Sequence, residues 1–322
     1  MTFGQTAVLC AGTICLLLLA GGLAYERIAE RRDAKRHPPP GRLIQAGSHR
    51  LHLLCRGSDR PTVVIEQGAG SPSHLWRPIQ EKIAAFARVC TYDRAGYLWS
   101  KPVHRPRSVR ERAEELRALL ANGEVPGPYL LVAHSYGGLI VREFALLYPA
   151  ETAGLVLVDT PDEQALCRPE VQRFYARMRV FVRILETASR FGLPRLLRHL
   201  PSLREAFWFV RPDEYEATAD DLASLRSLDR SASAPGRLKD LPLCVLTHGQ
   251  PFPGPFAVLE EGWLESQHRL AALSSQAMLI PALESNHMIH IDQPDLVVDA
   301  VRQMHASLAH GRTGRPAAAC DR

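Results

Sequence analysis

Hydrophobic and polar positions divide the chain into distinct regimes. From Thr6 to Tyr25 no residue is charged, and at ~1.5 Å per residue a helix over that stretch reaches ~30 Å, the thickness of a bilayer's hydrocarbon core. It is apolar on every side and is followed at once by Glu26-Arg27 and Glu30-Arg31-Arg32, so it reads as a membrane span rather than a buried core helix. The small residues Gly22-Leu23-Ala24 would suit a signal-peptide cleavage site, but Met1 to Gln5 contains no Lys or Arg; an uncleaved single-pass anchor over residues 1–25 is expected. A charged and proline-rich linker over 26–41 follows, ending in Pro38-Pro39-Pro40-Gly41, a composition that holds an extended spacer.

From Arg42 the pattern alternates. Arg42 to Ala46 and His49 to Cys55 predict a hairpin across Gly47-Ser48, Thr62 to Gln67 a buried strand, and Trp76 to Ala87 an amphipathic helix. Val89 to Tyr92 predicts a strand, Ser108 to Leu120 a helix, Tyr129 to Ala133 a strand running into a helix near Tyr136, and Leu155 to Val158 a further strand. Strands alternating with helices predict an α/β domain whose mostly parallel sheet is covered on both faces. Between Asp162 and about Asp240 helical, apolar-rich sequence takes over, densest over Arg173 to Ala188 and Leu193 to Phe209, and this reads as an inserted cap. A strand at Leu241 to Thr247, a helix from Phe256 to Ser274, a strand at Ala277 to Pro281 and a helix from Asp295 to Ala309 complete the pattern. The expected organisation is one domain over 42–310, with its cap at about 162–240, and a disordered tail over 311–322.

Composition narrows the function. A net charge of +5 is modest, and the basic residues do not alternate with aromatics along one face, which speaks against nucleic-acid binding. The seven cysteines form no C-x-x-C pair and no Cys/His spacing of the zinc kind, so no metal site is expected.

The strongest chemical signal is Ala133-His134-Ser135-Tyr136-Gly137-Gly138, set between an apolar strand and a helix, the context of a G-x-S-x-G nucleophile elbow. A serine at the tip of such a turn needs small neighbours two positions away, and its hydroxyl stands beside the positive end of the helix. Ala133 replaces the first glycine, and Gly137 keeps the second. A serine that only caps the helix is the plain alternative.

A nucleophilic serine needs a base, and a loop after the last strand supplies two histidines, His287 and His290. Two backbone N–H groups must face the oxyanion: that of Tyr136, and that of Ala69 in the small-residue turn Gly68-Ala69-Gly70-Ser71 after the strand Thr62 to Gln67. The orienting acid is harder to find. His248 to Gly254, after the strand Leu241 to Thr247, contains no carboxylate before Glu260. Asp159, at the end of the preceding strand, keeps the order Ser, acid, His; Glu260 or Glu261 is the next choice. The nearby Thr160-Pro161-Asp162-Glu163 reads as a capping box with proline at the first helical position, which accounts for Asp162 and Glu163 better than for Asp159.

With these residues assembled, the stretch from Arg42 to Ala309 resembles the α/β-hydrolase superfamily. The matching pieces are Glu66-Gln67-Gly68-Ala69-Gly70, Tyr92-Asp93-Arg94-Ala95-Gly96-Tyr97 with Ser100, the elbow itself, and His287 at its spacing from Pro294, which favours His287 over His290. The resemblance implies an α/β-hydrolase fold with an eight-stranded, mostly parallel sheet, a helical cap after strand 6, and no cofactor. Ala133 and the missing acid after the seventh strand depart from the pattern. Haloalkane dehalogenases in the superfamily carry their acid after the sixth strand, which Asp159 would imitate. Serine as the nucleophile speaks against dehalogenase and epoxide-hydrolase chemistry, which use Asp there. In that fold the second and fourth strands are antiparallel neighbours, so Cys55 and Cys90 become candidate cross-strand partners. A disulfide there argues for an extracytoplasmic domain, whereas Arg27, Arg31, Arg32, Lys35 and Arg36 after the anchor argue for a cytoplasmic one, and the side stays open.

The leading expectation is therefore a membrane-anchored serine hydrolase of carboxylic esters, thioesters or amides. Its cap, rich in Phe181, Leu185, Phe191, Leu196, Phe207, Trp208 and Phe209, would cover a small-molecule, apolar acyl substrate. A peptidase resembling proline iminopeptidases would need acids such as Glu205 or Glu214 facing the pocket, and a member of the fold that binds without catalysis is the third reading.

Overall fold

The computed structural model describes residues 2–200 and 211–309. A long helix α1 (Phe3–Arg36) precedes an eight-stranded sheet made of β1 (Arg42–Ala46), β2 (His49–Arg56), β3 (Thr62–Glu66), β4 (Val89–Tyr92), β5 (Tyr129–His134), β6 (Thr152–Val158), β7 (Leu243–His248) and β8 (Ala277–Ala282). The strand order is β1-β2-β4-β3-β5-β6-β7-β8. Only β2 pairs antiparallel, with β1 and β4; all other pairs are parallel. The helices after α1 are α2 (Arg77–Ile83), α3 (Val109–Asn122) and α4 (Gly137–Leu147), then α5 (Glu163–Leu166), α6 (Pro169–Arg190), α7 (Leu193–Leu197) and α8 (Pro212–Ser224) in the cap, and α9 (Trp263–Ala271), α10 (Ile289–Asp292) and α11 (Pro294–Ala309).

The central strands read as unbroken apolar runs because both of their faces are buried. Val64, Leu131, Leu155, Leu157 and Val245 point to the side covered by α3, α4 and α9. Their alternates Val63, Ile65, Leu130, Val132, Val156 and Val158 point to the side covered by α2 and α11. Fully burying each such side chain stabilises the fold by roughly 1.5–3 kcal/mol. Cys55 and Cys90 face each other across the antiparallel β2–β4 ladder and are joined in a disulfide.

Three elements depart from the sequence expectation. The charged run after the apolar segment continues α1 to Arg36 rather than forming a linker. Its Glu, Arg and Lys residues are good helix formers, and the helix is tied down where Arg195 of α7 pairs with Glu26 at 2.8 Å and Asp33 at 2.5 Å. The single helix expected over Phe256 to Ser274 is a short turn at Gly254–Leu259 and then α9, because Gly262 adopts a φ of +77° and breaks the spiral. Pro161 lies outside helix α5; Asp162 is its N-cap, accepting from the Ala165 N–H at 2.8 Å. Of the helical stretch expected over Leu193 to Phe209, α7 ends at Leu197, and 201–209 lie outside the described residues, as do Glu205, Phe207, Trp208, Phe209 and the tail 311–322.

Candidate active site

Strand β5 delivers Ser135 to the sharp turn before α4, where its φ of +51° falls in the left-handed region that non-glycine residues rarely occupy. The space around the turn explains its small residues. A Cβ on Gly137 would lie 2.7 Å from the Gln67 carbonyl oxygen, and one on Gly138 would lie 2.3 Å from the Thr160 side chain. At position 133 the alanine methyl is accommodated, fully buried between β3 and β6.

Ser135 Oγ lies 2.9 Å from His287 Nε2, and His287 Nδ1 lies 2.7 Å from Asp159 Oδ2. A carboxylate can only accept, so Nδ1 carries the proton and Nε2 is left to accept from the serine hydroxyl. The other candidates stand apart. His290 is buried, stacked on Trp76 with 4.5 Å between ring centroids. Glu260 accepts from the Phe252 N–H at 2.9 Å, and Glu261 pairs with Arg168 at 2.8 Å.

Asp159 is fully buried at the end of β6, with a φ of +48° that turns its side chain toward β7. Besides His287 it accepts from the His248 Nδ1–H at 2.8 Å, the His248 backbone N–H at 3.1 Å and the Trp263 indole N–H at 3.0 Å. Burial by itself would raise this carboxyl, but the hydrogen bonds from His248 and His287 outweigh it and hold the group below its ordinary value. Burial likewise would lower His248. Its contact with Asp159, and Glu260 at 3.5 Å from Nε2, more than offset burial and hold it above its ordinary value. A histidine at the end of β7 carries no sequence mark of a contact with β6, so His248 is not legible as a site residue from the sequence. What the sequence does show is a polar residue closing an apolar strand, at the position where the orienting acid is expected.

His134 packs behind His287. Its Nε2–H donates to the His287 backbone carbonyl at 2.9 Å, and its ring packs 4.6 Å from the His287 ring. Burial, with His290 and His287 close by, holds His134 well below its ordinary value, so it is neutral.

The turn holding Ala69 is fixed from behind by Arg94. Its guanidinium donates to the carbonyls of Gln67 and Gly68, each at 2.7 Å, while pairing with Glu66 at 2.5 Å and with Asp221 of α8 at 2.8 Å. In a trans peptide the carbonyl and the following N–H point in opposite directions. With the Gly68 carbonyl turned to Arg94, the Ala69 N–H is directed away from Arg94. Tyr136 is the N-cap residue of α4, at the end of the helix where backbone N–H groups have no carbonyl ahead of them. Tyr97 adds a second tether, its hydroxyl accepting from the Gly70 N–H at 3.0 Å and donating to Asp221 at 2.8 Å. The roles of Arg94 and Tyr97 were not visible from their motif alone.

Ser135, His287 and Ala69 open on a cavity of about 540 Å³ whose far wall comes from Tyr175, Met178 and Val182 of α6 and from Leu222 and Leu225 of α8 and the turn after it. Of the cap residues expected to cover the substrate, Phe181 and Leu196 are exposed instead and Leu185 and Phe191 are absent from this lining, while Phe207, Trp208 and Phe209 lie outside the described residues. A helical period locates an apolar face but not the partner it meets. No carboxylate lines the cavity among the described residues. Glu214, considered as an amine-binding acid, is absent from this lining and accepts from the Arg211 N–H at 3.3 Å.

The sequence profile of the alpha/beta hydrolase family matches residues 63–300. The chain belongs to that family. The uncharacterized Bacillus subtilis protein YqjL is 28% identical over 242 residues, covering 75% of this chain and 82% of that protein. Among solved structures, a thermophilic esterase from Thermogutta terrifontis superposes with a TM-score of 0.63 at 20% identity, covering 83% of this chain and 98% of the esterase. The enol-lactonase from Burkholderia xenovorans LB400 superposes with a TM-score of 0.63 at 18% identity, covering 82% and 99%. At these identities the structural likeness is one of fold.

Proposed function

We propose that this alpha/beta hydrolase is a membrane-anchored serine hydrolase of carboxylic esters with an apolar acyl group. The observation that carries the reading is the hydrogen-bond chain from Ser135 through His287 to Asp159, opening on a largely apolar cavity that no Asp, Glu, Lys or Arg among the described residues lines. Ser135 Oγ attacks the acyl carbon as His287 Nε2 takes its proton. Asp159 holds the ring in that tautomer and stabilises the imidazolium that forms. The N–H groups of Ala69 and Tyr136 receive the oxyanion. His287 then protonates the departing alkoxide, and water, deprotonated by the same nitrogen, releases the acid from Ser135.

Helix α1 anchors the enzyme; it is long and apolar enough to cross a bilayer, and its apolar window is exposed. The Cys55–Cys90 disulfide favours placing the domain on an oxidising side of that membrane, against the basic flank of α1. The test is hydrolysis of p-nitrophenyl esters of increasing acyl length by the full chain in detergent. The reading expects KM to fall as the acyl chain lengthens into the cavity. Hydrolysis confined to substrates bearing a free amine would favour the peptidase alternative.

A further inference from the structure

Helix α6 has two apolar faces. Its inner face lines the catalytic cavity through Tyr175, Met178 and Val182. On its outer face Val180, Phe181 and Ile184 are exposed by 59%, 56% and 60%, and Leu193 and Leu196 of the adjoining α7 are exposed by 47% and 51%. Single exposed apolar residues are ordinary, but several on two consecutive helices form a patch of the kind that marks a contact surface. Half of the exposed large apolar side chains outside α1, among the described residues, lie on these two helices.

We propose that this outer face of the cap lies on the bilayer that α1 crosses, as a second membrane contact. The inference rests on the reading of α1 as an anchor and extends it in two ways. First, the patch is held where α1 leaves its apolar stretch. Gly22 abuts the α6–α7 junction so closely that a Cβ there would lie 2.7 Å from the Phe191 carbonyl oxygen, and the Tyr25 ring occupies the space beside Gly192. The buried Glu26 pairs with Arg195 at 2.8 Å, which also binds Asp33. Where α1 spans a membrane, the cap is therefore fixed next to the interface. Second, the charge pattern suits lipid headgroups. The exposed charged residues of α6 are dominated by Arg173, Arg177, Arg183 and Arg190, while Glu186 is buried and tied to Arg183 and Arg190 at 2.5 and 2.8 Å. An arginine-rich helix with Val, Phe and Ile on the adjoining face lies in the plane of an anionic interface. The wall of the cavity and the membrane face are then two sides of one helix.

The experiment places a photoreactive benzoylphenylalanine at Phe181, at Leu17 in the apolar segment of α1, or at Leu264, an exposed apolar position on α9. Each full-length variant is reconstituted in nanodiscs of phosphatidylcholine and phosphatidylglycerol, irradiated, and analysed by mass spectrometry. Lipid adducts at Leu17 and Phe181, with none at Leu264, are expected. Adducts at Leu17 without any at Phe181 would overturn the proposal and leave the anchor standing. No adduct at Leu17 would overturn the anchor reading, and the proposal with it. Cross-linking of Phe181 to a second copy of the chain would assign the patch to a dimer interface instead.

Discussion

His248 grips Asp159 twice, its backbone N–H reaching Oδ1 at 3.1 Å and its ring Nδ1–H reaching Oδ2 at 2.8 Å, on the same oxygen that receives His287. His248 closes β7, and its two hydrogen bonds hold the Asp159 carboxylate at the end of β6. Hydrogen bonds to charged groups contribute roughly 1.5–3 kcal/mol each. His248→Ala removes the ring donor while burial of Asp159 persists, so the Asp159 carboxyl moves up. The acid limb of the kcat/KM profile is expected to shift to higher pH, and activity at neutral pH to fall about tenfold, since 1.4 kcal/mol corresponds to that factor. His248→Asn, which retains a donor, is expected to recover part of both. An unchanged acid limb in His248→Ala would show that the ring serves packing alone.

Two buried neutral histidines make the fold acid-sensitive. Burial, with His287 nearby, lowers His290 to about 3 from an ordinary 6.5, and His134 is also held well below it. A group whose folded value is depressed contributes stability that is complete above its unfolded value, so here stability is lost as pH falls from 6.5 through about 3. His290→Phe keeps the stack on Trp76 and removes two buried ring nitrogens without hydrogen-bond partners. Thermal unfolding between pH 7 and pH 4 is expected to show a flatter decline in this variant, with a gain of about 1 kcal/mol at pH 7.

The tethers on the Ala69 turn make a distant cap residue matter to the chemistry. Tyr97→Phe removes the hydroxyl that joins the Gly70 N–H to Asp221. The expected result is a loss of roughly 1 kcal/mol in stability and a several-fold fall in kcat with little change in KM, the signature of an interaction made in the transition state. A rise in KM alone would contradict the proposed role of the turn.

The elbow gives opposite expectations at its two small positions. Gly137→Ala drives a methyl into the Gln67 carbonyl and is expected to abolish activity and to lower the melting temperature sharply. Ala133→Gly restores the motif at a buried strand position. It is expected to cost about 0.5–1 kcal/mol of stability while leaving kcat close to wild type.

The sheet was legible in the sequence because its central strands are buried on both faces and so appear as short apolar runs such as Leu155 to Val158. Ser135 and Asp159 are legible as candidates because each directly follows such a run, and His287 because of its place in the loop after the last strand and its spacing from Pro294. What could not be read was anything set by contacts between distant segments. His248 closes β7 but acts on β6, and Arg94 follows β4 but fixes the turn after β3. The two apolar faces of α6 have the same helical period as one broad face, so the period does not separate Phe181 on the outer face from the pocket-lining Met178 and Val182. The charged run after Tyr25 carried no sign of α7, whose Arg195 fastens it to the cap.

The most direct test of the central claim is labelling of the full-length protein with a fluorophosphonate probe, which phosphonylates only an activated serine, in wild type, Ser135→Ala, His287→Ala and Asp159→Asn. The account expects labelling of wild type, its loss in the serine and histidine variants, and a rate slowed by about 10⁴ in the aspartate variant, where the ring loses its tautomer. A folded wild-type protein that fails to label, or a Ser135→Ala variant that labels as fast as wild type, would contradict it.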